Sequence, residues 1–237
     1  MINSISAPKC FSAFCAKNKK QEQTATPNVK IASLVGAGVC AVGAAHMIAR
    51  RQSKVLNKTI NLLNVKYTEP EMIGVAIASI CGGLALGGAV DDKKYLPIKI
   101  KEGLHQAVAN ILAPLLLIGG LNRIYDKYQP KNLPQFSPDT KLKKFANEAI
   151  KMAPRLAIAI AGLVGGVYAG TYISNKINGI ENTEQERQIK SLDFIYHPDD
   201  IAAAFAIADK KGVLQKFVSK IIPPVFMLHG YEAGTRR

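Results

Sequence analysis

The chain has 237 residues, with 31 Lys and Arg against 17 Asp and Glu, a formal net charge of +14 and a mean hydropathy of +0.08. The lysines sit mainly beside apolar runs, and no Arg-rich stripe is interleaved with aromatics, so the expected partner is a lipid bilayer with anionic headgroups and nucleic acid is not expected. Cys10, Cys15, Cys40 and Cys81 have neither metal-ligand spacing nor a disulfide framework, which argues against a zinc module or a stapled scaffold; all four are expected to be reduced and non-catalytic.

Residues 1–28 read as a basic arm, disordered or lying on a surface, without the uninterrupted apolar segment of a secretory signal. The first apolar run covers 31–49 and is closed by Arg50 and Arg51. Inside it, Gly36, Gly38 and Ala41 match the G-x-G-x-x-[GA] phosphate turn of a dinucleotide-binding domain, where bare backbone reaches a pyrophosphate at a helix N-terminus. The ribose-binding carboxylate expected about 20 residues later is missing, because Glu69 lies too far on. Small residues on a tightly packed membrane helix are the simpler account, and a nucleotide-binding enzyme is the remote alternative. Residues 50–70 form a basic connector in which Arg50, Arg51, Lys54 and Lys58 alternate with apolar residues, a pattern for a short interfacial helix. Pro70 then opens the second run, 72–90, which Asp91-Asp92-Lys93-Lys94 ends.

The third run, 104–122, holds Pro114 and predicts a kink near Ala113-Pro114. Arg123, Tyr125, Lys127 and Tyr128 follow as interfacial anchors. After Pro130, Pro134 and Pro138, an amphipathic helix up to Met152 is expected to lie on the membrane surface. The fourth run, 156–174, is free of charge, and as a helix it would cover about 28 Å, close to the thickness of a bilayer core. Gly162, Gly166 and Gly170 recur there every fourth residue, stacking three bare patches on one helix face. With an offset of 83, residues 71–94 align on 154–177 with seven identities, and the triad falls on Ser79, Gly83 and Gly87. These six residues are the expected helix-packing positions, and the match predicts two related helical hairpins.

Residues 178–237 are expected to form a small amphipathic helical region, with a helix start at His197-Pro198-Asp199-Asp200 and a second segment stopped by Pro223-Pro224. The tail from Val225 is too short to span, and His229-Gly230-Tyr231-Glu232 receives no role. His46 and His105 read as interfacial imidazoles rather than a relay, and Tyr168 and Tyr172 as a headgroup-level belt rather than a substrate path. No catalytic, cofactor or metal motif stands out, and the four runs carry no charge between their flanks, which weakens ion-coupled transport.

The expected fold is therefore an all-α, four-span transmembrane helical bundle over 29–177, built as two related hairpins with glycine-zipper faces, plus short amphipathic helices. The expected role is a non-enzymatic structural or homo-oligomer-forming scaffold without a cofactor, and a small-solute pore or facilitator is the alternative. The expected location is a bacterial inner membrane, with both termini on the cytoplasmic side if the basic arm sets orientation.

Overall fold

A computed structural model describes residues 24–128, 136–179 and 215–237. The N-terminal arm up to residue 23, residues 129–135 and the expected helix after His197 lie outside the described residues. Among the described residues there is no strand, and the elements are helical.

Helix α1 spans Pro27–Leu56. Pro27 suits a first turn, where its missing N–H would have had no partner, and Asn57 closes the helix at φ 49°. Val29, Ser33, Ala37, Ala41, Ala45 and Ala49 are buried at every fourth position, the row that one helix face presents to a neighbour. The expected interfacial helix after Arg50 is a continuation of α1. Gln52 fastens the connector behind it by donating from Nε2 to the Lys66 carbonyl at 2.7 Å. Helix α2 spans Glu69–Val90, and the Glu71 carboxylate accepts from the Thr68 backbone N–H at 2.9 Å, reaching back from the first turn to the capping residue.

The next helical run extends from Lys93 to Tyr128, well beyond the apolar stretch that marks it in the sequence. It consists of a tight turn, Lys93–Tyr95, then α3, Leu96–His105, a widened π-helical stretch, Gln106–Leu112, and α4, Ala113–Tyr128. The widening ends just before Pro114, which cannot donate a backbone hydrogen bond and whose ring crowds the preceding turn. Where a kink near Ala113-Pro114 was expected, the structure has altered helical winding just before that point.

Helix α5 spans Lys141–Ile177, with Pro154 inside it. The surface helix and the fourth span, expected as separate elements, are one. An ion pair between Arg155 and Asp126 at 2.6 Å ties the region of Pro154 to α4. Helix α6 spans Gln215–Thr235 and runs through Pro223 and Pro224, which were expected to stop it. An interior proline costs about 3 kcal/mol in a helix. Ile222 and Phe226, on either side of the pair, are buried in the main core with Ala45, Met72 and Val75, and this packing carries the helix past the break.

Four of these elements, α1, α2, the Lys93–Tyr128 run and α5, are long and apolar enough to cross a membrane. Their outer faces expose Ile31, Val39, Met47, Leu116 and Ile160, which suits lipid. Helices α4 and α5 pair antiparallel in a regular register: Lys101 of α3 meets Asn178, His105 meets Ser174, and Ala109, Pro114 and Ile118 face Gly170, Gly166 and Gly162. Helix α6 lies against α1 and parallel to α2, from the α1–α2 connector to Asp91. Helix α5 therefore ends beside Lys101 at the Asp91 end, whereas α6 starts toward the opposite end.

Candidate functional site

A helical glycine lets a neighbour occupy the space a Cβ would fill, and most of the expected packing residues do so here. Cβ atoms added at Gly36 and Gly82 would each strike the other's backbone carbonyl, which joins α1 to α2. Gly83 abuts the backbone of Gly230, and Gly87 abuts Gly234 and the Ser33 hydroxyl. Ser79 backs onto Gly230 through its own carbonyl and side chain. Gly162, Gly166 and Gly170 rest on backbone atoms of Ile118, Pro114 and Ala109. All six expected positions are buried at helix contacts. The positions aligned by the offset of 83 nevertheless take unlike partners. Ser79, Gly83 and Gly87 seat the parallel helix α6, whereas Gly162, Gly166 and Gly170 seat an antiparallel neighbour. Gly36, Gly38 and Ala41 lie within α1, without the strand before them that a phosphate turn requires.

The seat of α6 is closed by polar groups. Gln106, fully buried on the widened stretch, donates from Nε2 to Glu102 at 2.8 Å and to Glu232 at 2.7 Å. Its Oε1 accepts from Asn110 Nδ2 at 2.6 Å and faces His229 Nδ1 at 2.8 Å, so His229 carries its proton on Nδ1 in this arrangement. One amide thus joins two side chains of its own run, Glu102 and Asn110, to two of α6, Glu232 and His229. At the adjoining end, Lys99 is fully buried and bonds both Asp91, at 2.9 Å, and the Gly234 carbonyl. Arg237 grips the same carboxylate at 2.6 and 3.2 Å, stacks over the Tyr95 ring and donates to the Thr24 carbonyl at 3.3 Å.

Burial alone would raise the Asp91 pKa, but hydrogen bonds from Arg237, Lys99 and the Asp92 backbone outweigh it and hold the carboxyl at about 2. In the α1–α2 connector, burial and then the nearby Glu71 charge push the Tyr67 phenol up to about 12. His105 pairs with the buried Ser174 at 2.9 Å, whereas His46 is exposed toward the other end of the bundle, so the two imidazoles do not meet. Tyr168 and Tyr172 are exposed on α5. Cys40 and Cys81 are free thiols, while Cys10 and Cys15 lie outside the described residues. Among the described residues, no three His, Cys, Asp or Glu side chains are grouped to hold a metal ion.

Several of these residues escape a reading of the sequence. Gly230 and Gly234 form a G-x-x-x-G pair, a signal for close helix approach, but Pro223-Pro224 just before it reads as a stop. Gln106 and Asn110, one turn apart in the third run, are polar residues that hydrocarbon does not tolerate without partners. That pair was the available hint of a buried network. No protein-family model matches this chain, and no curated protein or solved structure is significantly similar to it.

Proposed function

We propose that this chain is a non-enzymatic integral membrane protein with a structural, scaffolding role. The observation that carries the reading is the backbone-to-backbone seating of α6 on Gly83 and Gly87, which fastens a relatively polar helix along an apolar hairpin. Interlocking of this kind favours a rigid framework, because glycine faces gain their stability from close van der Waals approach. We read Gly162, Gly166 and Gly170, and Ser79, Gly83 and Gly87, as two glycine zippers of related hairpins that have since taken different partners. Their faces are occupied within the chain, so homo-oligomers would form through the apolar exterior. The contact between Arg237 and Thr24 supports placing both ends on one side, the cytoplasmic side of a bacterial inner membrane.

An alkaline carbonate wash of membranes tests the reading, with the chain expected in the pellet. Gly83→Leu and Gly166→Leu should each disrupt bundle packing, seen as increased protease sensitivity in detergent. Release of the wild-type chain by carbonate, or unchanged packing in both variants, would overturn it. A small-solute facilitator is the second reading, favoured by the stripe of Lys99, Glu102, Gln106 and Asn110 along one side of the third span. Reconstituted vesicles that pass no small neutral or charged solute faster than protein-free ones would remove it.

A further inference from the structure

We propose that the outer face of α1 holds a specific seat for one anionic phospholipid, an inference that rests on the membrane reading above. Gly38, Val39, Val42, Gly43 and His46 of α1 and Leu62 of the connector line an open, almost wholly apolar hollow of about 530 Å³. Its floor is open because of glycine: a Cβ added at Gly43 would meet nothing within 4 Å. Along the helix, Val39, Gly43, His46 and Arg50 succeed one another at spacings of three and four, so the hollow and the first arginine share one face.

The dimensions suit a lipid. From Val39 to Arg50 is 11 residues, about 16 Å of helix, close to half of the roughly 30 Å bilayer core. An acyl chain lying in the hollow would therefore bring its phosphate to the level of His46 and Arg50. The charge at that level is complementary. Arg50, Arg51, Lys54 and Lys58 are exposed, and none has an acidic partner among the described residues. Several other cations are neutralised internally, Lys99 and Arg237 by Asp91, Arg123 by Glu69 and Arg155 by Asp126. Arg50 and Arg51 supply charge-assisted bonds to a phosphodiester, and His46 supplies an N–H just below them.

The test uses the full chain in a non-ionic detergent, with native mass spectrometry after addition of phosphatidylglycerol or phosphatidylcholine of identical acyl chains. One phosphatidylglycerol should be retained per chain, at least about tenfold better than phosphatidylcholine, given the attraction of two arginines for an anionic headgroup. Arg50→Gln/Arg51→Gln should abolish the preference between the two lipids. Gly43→Phe, placed where an added Cβ meets nothing within 4 Å, should lose tight retention of both. Lys141→Gln/Lys144→Gln, on exposed positions of α5, should change nothing. Equal retention of the two lipids by the wild type, wild-type behaviour of Gly43→Phe, or a second copy of the chain in place of the lipid would overturn the proposal. A chain that stays monodisperse without detergent would overturn the membrane reading and this site together, whereas a detergent-requiring chain without lipid preference would overturn the site alone.

Discussion

Gly166 offers a test in which helix propensity and packing pull in opposite directions. Replacing an interior helical glycine with alanine gains about 1 kcal/mol, because alanine loses less backbone freedom on folding. At Gly166 the new methyl would press on the backbone of Pro114 and Ala113, lying 2.7 Å from the Pro114 nitrogen and 3.0 Å from the Ala113 carbonyl carbon. Those atoms belong to a helix axis and cannot rotate away, so relief requires α4 and α5 to part. Overpacking of this kind costs about 1–3 kcal/mol. Gly120→Ala is the matched control, since a Cβ there meets nothing within 4 Å and only the propensity gain remains. The two alanine variants should therefore differ by about 1–3 kcal/mol, with Gly120→Ala the more stable. Reversible unfolding by dodecyl sulfate in mixed micelles, followed by helicity, measures the gap. Equal stability, or a more stable Gly166→Ala, would refute the seating of α5 on the backbone around Pro114.

Removing the fully buried Lys99 ammonium with Lys99→Met leaves the Gly234 carbonyl without its donor and half of the Asp91 charge uncompensated. Breaking such a buried pair costs about 3–5 kcal/mol, and the lower end is expected because Arg237 still holds Asp91, as the same dodecyl sulfate titration would report. Asp91 should also set an acid limit. Its folded pKa of about 2 lies below its ordinary 3.8, so its contribution of about 2 kcal/mol is complete above about pH 4 and is lost as pH falls through about 2. Asp91→Asn should flatten the unfolding profile over that window, and an unchanged slope would count against the ion cluster.

Local chemistry accounts for much of this fold. A charge-free stretch of about 20 residues between basic flanks has few ways to satisfy its backbone in lipid other than a helix. The four long apolar helices therefore follow from the positions of residues 31–49, 72–90, 104–122 and 156–174. Glycine at every fourth position marks a face for close approach whichever helix comes to occupy it, and Gly162, Gly166 and Gly170 were legible on that ground. Pro70, read as the opening of the second run, likewise sits in the first turn of α2.

The identity of each partner was a different matter. Nothing near Gly83 or Gly87 in the chain distinguishes α6 from a hairpin mate, since a bare glycine face is complementary to any small-residue backbone that reaches it. The prolines at 154, 223 and 224 argue locally for breaks, and only contacts distant in sequence, Arg155 with Asp126 and Ile222 and Phe226 with the core, outweigh that cost. Gln106 and His229 are 123 residues apart, and Asp91 and Arg237 are 146 apart. Their burial is tolerable because the fold brings hydrogen-bond and charge partners together. Composition and periodicity by themselves determined which segments are helical, apolar and closely packable. The tertiary structure alone decided which helix fills which glycine face, because that choice depends on mutual satisfaction of groups from remote parts of the chain.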